Sequence, residues 1–413
     1  MDSYKIPHVV IVGAGFGGLQ AATTLKNKPC TVTVIDKTNH HLFQPLLYQV
    51  ATAALSPADI AAPVRTILRN AKNITVEMDE VTSIDTSRNV VFRKQEGELT
   101  YDYLILSPGT RHSYFGNNDW EEFAPGLKSL NDALIIRRKI LKAYEKAKHS
   151  NGNIAKHTTF VVVGGGPTGV EIAGALAEIG RQTMLQDFPE LTASDIRVVL
   201  VEAGKSILTA FPESLSKHAQ QHLLDLGVEV QTNSKVQNIT QDSVTINGTV
   251  IETENVIWAA GNTASDLLKH VPTTLDSAGR VVVQQNCSVK EAPNVFVIGD
   301  AAHFPDTTYT ALPGVAQVAM QQGRFVAKTI LSNNPNAKFV YNDKGNMATI
   351  GRAKAVAYLF GKVQLWGFAA WAIWALIHVV SLIKFRNRVS VMSEWLWYYV
   401  TYQPGARLII EEQ

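Results

Sequence analysis

Two glycine loops, each opening directly off an apolar β-branched run, constrain this chain more than any other feature. Residues 8–12 (HVVIV) suit a buried parallel strand and end at Gly13. The loop Gly13-Ala-Gly-Phe-Gly-Gly18 follows, and an Ala/Leu-rich stretch with helical composition follows that. The same grammar returns at 158–163 (TTFVVV), with the loop Gly164-Gly-Gly-Pro-Thr-Gly169 and then VEIAGALAEI. A further β-branched run closes each unit on an acid: 31–35 ends at Asp36, and 196–201 ends at Glu202. Strand, glycine turn, helix, strand and terminal acid, stated twice, predict an α/β chain with a domain-scale internal repeat.

The chemistry behind such a loop is specific. The first glycine (Gly13, Gly164) permits a tight turn, and the second (Gly15, Gly166) lets a diphosphate approach the backbone. The last (Gly18, Gly169) lets helix and strand pack closely. The helix N-terminus offers free N–H groups and partial positive charge to the diphosphate. The strand-end carboxylate accepts hydrogen bonds from an adenosine ribose, so Asp36 and Glu202 are the candidates. The second spacing exceeds the usual ~20 residues, and an insertion near 181–195 accounts for it. Arg181 and Lys205 stand close enough in sequence to weaken the discrimination against a 2′-phosphate at Glu202. Two dinucleotide sites on one chain imply redox chemistry, because a nicotinamide that delivers a hydride needs a second redox group to receive it.

Further runs bear on the same layout. Residues 103–110 (YLILSPGT) and 256–261 (VIWAAG) end in small residues at similar offsets after the two loops. The run 294–300 (NVFVIGD) reads as another buried strand ending at an acid, and 131–149 as a charged helix. Pro313 and Gly314 open a predicted helix, GVAQVAMQQGRFVAKTIL, on which Gln317 and Gln321 share a face. With 413 residues, 46% of them hydrophobic and 18% charged, disorder is excluded and two or three domains are expected. A net charge of +2 gives no global attraction to nucleic acid. The two cysteines, Cys30 and Cys287, are too few for a disulfide framework and suit a reducing compartment. His40-His41 lacks acidic or thiol partners at ligand spacing, so no metal site is expected. No secretion signal or transit peptide is read at the N-terminus.

Taken together, the first loop, Ser107–Thr110, the second loop, Trp258–Gly261 and Gly299–Ala302 resemble the two-dinucleotide-binding-domain flavoproteins. Three longer stretches, 39–57, 164–178 and 316–323 (AQVAMQQG), look like the type II NADH:quinone oxidoreductases, and the similarity covers essentially the whole chain. The resemblance implies non-covalent FAD on Gly13, Gly15, Phe16, Gly17, Gly18, Asp36, Gly109, Asp300 and Ala316. It implies NADH on Gly164, Gly166, Gly169, Glu202 and Gly261. Ser107 and Trp258 depart from the family's Ala-Thr-Gly crossings and are expected to be structural. Glu171 is implied near the nicotinamide, with Gln317, Gln321 and Lys384 towards the quinone. The domains expected are 1–112 with 266–335 for FAD, 113–265 for NADH, and a tail, 336–413.

That tail is distinctive by itself. It holds five of the seven tryptophans, and residues 363–383 carry no formal charge. By length that run could span a bilayer. Residues 389–401 place Val389, Met392, Trp395, Leu396 and Tyr399 on one helical face, as in an interfacial amphipathic helix. From Lys344 onward there are eight basic and three acidic residues, which suits an anionic lipid surface. The reading is a peripheral, monotopic anchor at the cytoplasmic face of the cell membrane, on a homodimeric enzyme that passes electrons from NADH through FAD to quinone without pumping protons. The alternatives are a soluble ferredoxin- or rubredoxin-type reductase, a sulfide:quinone reductase, which would need cysteines beside the flavin, and an NADH-responsive flavoprotein without enzymatic activity. An apolar tail favours the quinone enzyme over a soluble carrier reductase.

Overall fold

The computed structural model describes residues 6–150, 152–306, 308–309, 311–401, 403 and 405–409. The chain forms two compact units, both discontinuous in sequence. The first comprises residues 1–42, 61–111 and 262–342, and the second residues 43–60, 112–261 and 343–413. The longer and site-bearing helices are, in chain order, α1 (Phe16–Leu25), α2 (Leu47–Ala51), α3 (Pro57–Ile60), α4 (Leu130–His149), α5 (Pro167–Glu178), α6 (Glu213–Asp225), α7 (Ala316–Ser332), α8 (Gly367–Ser381) and α9 (Phe385–Thr401).

The first unit is built on a six-stranded sheet. Its order is Ser288–Val289, Ala292–Val297, Tyr103–Leu106, His8–Val12, Thr31–Asp36 and Ile74–Met78. All neighbours are parallel except the first pair. Val9, Val10 and Ile11 are fully buried, which is why this run is apolar without alternation. Helices α1 and α7 cross at close range: a Cβ on Gly323 would stand 2.2 Å from the Gly17 carbonyl oxygen, so only glycine fits there.

The second unit carries a four-stranded parallel sheet in the order Val228–Gln231, Arg197–Val201, Thr159–Val163 and Asn255–Trp258. The insertion expected at 181–195 begins as a π-helical turn, Ile179–Met184, which prolongs α5 before the chain returns to the sheet. Helix α4 begins with Ser129 and Asp132 in a reciprocal capping box. A three-stranded antiparallel sheet, Gly345–Thr349, Ala355–Leu359 and Val363–Trp366, then leads into α8 and α9.

The apolar run 363–383 is not one helix. Its first four residues pair as an edge strand, and Gly367, at φ +68°, turns the chain into the 15-residue α8. Fifteen residues rise about 22 Å, short of the ~30 Å hydrocarbon thickness. Among the described residues no helix is long and apolar enough to cross a membrane.

Helix α9 presents its polar side to the protein. Asn387 is buried and its amide donates to the Ala58 and Asp59 carbonyls, and Ser390 donates to the Asp59 carboxylate at 2.7 Å. Val389, Met392, Leu396 and Tyr399 face outward, whereas Trp395, expected among them, turns inward to Gln49. Phe368, Leu376 and Val380 of α8 are exposed as well. Glu411 and Glu412, counted in the tail's charge, lie outside the described residues.

Candidate functional site

In the first unit the loop Gly13–Gly18 has the geometry its glycines anticipated. Gly13 sits at φ +96°, and a Cβ there would lie 2.2 Å from the Ser107 carbonyl oxygen. A Cβ on Gly18 would meet the Gly13 oxygen at 1.8 Å, whereas nothing lies within 4 Å of the Gly15 position. The space over Gly15, beside the uncapped start of α1, is the room a diphosphate requires. Gly17 faces the Ser107 hydroxyl and Ala319, and Phe16 opens α1 and packs edge-on against His41 at 5.1 Å. Asp36 accepts from the Ala14 N–H at 2.6 Å and from the Thr38 N–H and hydroxyl at 2.7 Å.

His41 is buried and its Nδ1 lies 2.9 Å from the Ala14 carbonyl oxygen; burial holds its pKa below the ordinary value. It braces the loop. No group of three or more His, Cys, Asp or Glu that could hold a metal exists among the described residues. Cys30 and Cys287 are both buried and unbridged.

The Gly299-Asp300 turn stands in the same unit, with Thr110 donating to Asp300 at 3.4 Å. Gly314 lies against the Asp300 carboxylate, where a Cβ would come within 3.1 Å. Gly109 adopts φ +69° with open space at its Cβ position. Helix α7 begins at Ala316 rather than at Gly314, after Val315, with no side chain capping its first N–H groups. Its positive end is thereby left for an anionic ligand.

The three glutamines of α7 behave differently. Gln317 is half-buried in the first turn. Gln321 donates to the Asn342 carbonyl at 2.9 Å and accepts from its N–H at 3.0 Å, so both ends of that amide are engaged by local backbone. Gln322, not singled out from sequence, is 1% exposed and accepts from the Gly299 N–H at 2.7 Å. It fixes the turn that presents Asp300. Only the tertiary pairing reveals this, because a third glutamine in a helix carries no distinguishing spacing.

The second unit repeats the first loop closely. Gly164 has φ +111° and sits against Ala259, a Cβ on Gly169 would meet the Gly164 oxygen at 1.8 Å, and Gly166 opens on free space. Glu202 accepts from the Gly165 N–H and the Gly204 N–H, each at 2.6 Å. Its place over the loop is the counterpart of Asp36. Arg181 is turned to the Leu226 and Gly227 carbonyls, away from Glu202, and Lys205 is exposed. Gly261, at φ +71°, lies against Phe115 and Ser113. Trp258 is buried among Tyr114, Phe115 and Trp120, and its indole donates to the Ser113 carbonyl at 3.0 Å, a packing role.

Glu171 stands in the second turn of α5, beyond the first turn where the helix dipole favours a carboxylate. Burial dominates: desolvation raises its pKa to about 8, against one opposing hydrogen bond from the Thr349 N–H at 3.4 Å. Two turns further along the same helix, Glu178 is raised to about 7 by burial, offset by the Arg352 N–H at 2.6 Å. Tyr48 of α2, buried, bonds the Thr349 hydroxyl at 2.9 Å, and burial together with the charge of Glu171 pushes its phenol upward. A carboxyl poised near neutrality beside a dinucleotide loop is suited to hold or release a proton. Lys384 is half-buried in the turn between α8 and α9.

Two glycine-loop folds of matching geometry, each with a strand-end acid, define an oxidoreductase of the two-dinucleotide type. The comparisons agree. The pyridine nucleotide-disulphide oxidoreductase family matches residues 7–323. The type II NADH:quinone oxidoreductase Ndh of Mycobacterium tuberculosis is 41% identical, over 98% of this chain and 90% of that protein. A second one, NdhA of the same organism, is 42% identical over 94% of this chain and 86% of its own. The solved structure of NDH2 from Plasmodium falciparum in complex with NADH has the same fold, with TM-score 0.90 at 21% identity, covering 98% of this chain and 100% of that one. The chain belongs to the type II NADH:quinone oxidoreductases, within the pyridine nucleotide-disulphide oxidoreductase family.

Proposed function

We propose that this protein oxidises NADH and reduces a membrane quinone by way of bound FAD, without pumping protons. The observation that carries the reading is the matched pair of loops, each with room for a diphosphate over its central glycine and an acid at the neighbouring strand end. The relatives' names supply the substrates, NADH and quinone. FAD, when bound, would supply the two-electron redox chemistry that links NADH to the quinone, which takes up two protons as it becomes quinol.

The residues divide the work. In the first unit Gly13, Gly15, Gly17, Gly18 and Phe16 shape the diphosphate site for FAD, with Asp36 towards the ribose and Gly109, Asp300 and Ala316 along the rest of the cofactor. The uncapped N-terminus of α7 would favour negative charge on a flavin held there. Gln317, a neutral hydrogen-bonding amide, and Lys384 are the residues assigned to the quinone. Gln321, engaged by Asn342, is a support of the α7 start and a weaker candidate for ligand contact. In the second unit Gly164, Gly166, Gly169 and Gly261 receive NADH, and Glu202 favours its free ribose hydroxyl. Glu171, protonated near neutral pH, positions the nicotinamide end and can supply a proton. The domains remain as proposed from sequence, 1–112 with 266–335 for FAD, 113–265 for NADH and 336–413 for the membrane, except that residues 43–60 fold with the second unit and 336–342 with the first.

Attachment is peripheral, through the outward apolar residues of α8 and α9 and the basic residues around them, on an anionic cytoplasmic leaflet. A second copy of the chain shares part of this apolar surface as a homodimer.

Stopped-flow absorbance of the purified holoenzyme tests the reading. NADH alone is expected to bleach the oxidised flavin band, and a short-chain quinone to restore it. Bleaching without recovery by quinone would discard the quinone and leave an NADH-reducible flavoprotein, favouring a carrier-protein reductase.

A further inference from the structure

Within the second unit, hydrogen bonds run from the tail helix to the side chain of Thr349, the residue whose main-chain N–H meets the half-buried Glu171. The Trp395 indole N–H of α9 donates to Gln49 Oε1 at 2.7 Å. Gln49 Nε2 donates to Tyr48 Oη at 2.9 Å. Tyr48 Oη lies 2.9 Å from Thr349 Oγ1, and the Thr349 N–H donates to Glu171 at 3.4 Å. Because an indole can only donate, Trp395 settles which end of the Gln49 amide it meets, and the NH2 group is thereby turned towards Tyr48. Between Tyr48 and Thr349 either hydroxyl can be the donor. Trp395 therefore sets the orientation of the Gln49 amide, while the Thr349 main-chain N–H donates to Glu171 whatever the side chains do.

Two other contacts hold the same parts together. Arg137 of α4 is buried, and its guanidinium donates to the Val50 and Leu55 carbonyls at 2.7 and 2.8 Å, clamping the end of α2 that follows Tyr48 and Gln49. Arg352, whose N–H bonds Glu178, donates from its guanidinium to the Tyr398 carbonyl at 3.1 Å and lies 4.2 Å over the Tyr399 ring. So α9 reaches both glutamates of α5 by separate routes.

We infer that Tyr48 and Gln49 are positioning residues for Glu171, acting through Thr349, and that the seating of α9, through Trp395, fixes the Gln49 amide and the Tyr48 hydroxyl that hold the Thr349 side chain. The inference rests on the proposed role of Glu171. The titratable group facing Glu171 from α2 is Tyr48, and from its own helix Glu178. The strand Gly345–Thr349 offers the Thr349 amide and carries no charged side chain. The strand Thr159–Val163 is uncharged. From the other elements packed on α5, Arg181 is engaged by the Leu226 and Gly227 carbonyls, Arg197 by Glu229, and His222 by Asp225. Lys354 lies towards Glu178 and Asp225. The contacts through Gln49 and Tyr48 thus tie α9 to Thr349, the residue whose N–H meets Glu171.

Infrared pH titration of the full-length holoenzyme reads the Glu171 carboxyl directly, the band being the one that Glu171→Gln removes. Tyr48→Phe keeps the ring and deletes the hydroxyl. It makes the surroundings of Glu171 less polar and is expected to raise the midpoint by at least ~0.5 pH unit. Trp395→Phe keeps an aromatic ring against Trp374 and deletes the N–H; it is expected to move the midpoint the same way. Tyr48→Phe/Trp395→Phe should move it no further than Tyr48→Phe alone, because both act on one line. A midpoint unmoved by Tyr48→Phe overturns the inference and leaves Glu171 its role. A shift with Tyr48→Phe but none with Trp395→Phe overturns the link to α9. If Glu171→Gln removes no band and leaves flavin reduction by NADH at its original rate, the role of Glu171 falls and this inference with it.

Discussion

Glu171 shows how a residue's surroundings set its proton affinity. It lies in the second turn of α5, and burial lifts it from the ordinary 4.5 to about 8. The native protein therefore holds a proton between those two values that the unfolded chain has released. Stability from this source is complete below about pH 4.5 and is lost as pH rises towards 8. Glu178, raised to about 7, acts in the same direction. Glu171→Gln should flatten the fall of melting temperature between pH 5 and 8; a variant whose melting temperature follows the original pH dependence would contradict a raised native pKa. Glu202 answers to a different measurement. Its carboxylate takes both the Gly165 and Gly204 N–H groups, so Glu202→Ala should loosen the loop and the ribose site together. The expected result is a KM for NADH raised roughly tenfold, about 1.4 kcal/mol, with the NADH-over-NADPH preference reduced. An unchanged preference would remove its ribose role.

At the scale of elements, the contact between α1 and α7 is the sharpest constraint. Gly323→Ala would drive a methyl group into the Gly17 carbonyl, at a cost of ~1–3 kcal/mol or more from overpacking. Because α1 carries the first glycine loop, the variant should melt lower and retain less FAD on gel filtration. Full retention at the original melting temperature would mean the helices can separate without consequence. Both loops and both strand-end acids were legible in the sequence, because each is a local pattern whose spacing follows from a turn, a helix start and a strand end. The Tyr48–Thr349 and Gln49–Trp395 bonds were not legible: their partners stand 301 and 346 residues apart, and nothing in either local sequence marks them. The run 363–383 misled for the opposite reason. Its composition is continuous, but Gly367 at positive φ and the pairing with Ala355–Leu359 divide it into strand and helix. Trp395 fell on the expected outward stripe by helical spacing, and a single hydrogen bond to Gln49 draws it inward.

For the whole molecule, the decisive feature is the placement of polarity on the tail. Helix α9 is held by polar bonds from Asn387, Ser390 and the inward Trp395 while Val389, Met392, Leu396 and Trp397 point away, and α8 exposes Phe368 and Leu376 beside it. In the full chain, Phe368→Asp together with Leu396→Asp should reduce co-sedimentation with anionic phospholipid vesicles at least tenfold, while NADH oxidation with a water-soluble acceptor persists. Binding that survives both substitutions would move the membrane face elsewhere or assign these residues to the partner subunit. On the attachment proposed, the outward apolar helix also sets how the enzyme meets its second substrate. An adsorbed catalyst and a lipid-dissolved quinone find each other by lateral diffusion in a film. Turnover should therefore follow the mole fraction of quinone among the lipids and fall when inert phospholipid is added at constant total quinone, a surface dilution that no reaction confined to the aqueous phase would show.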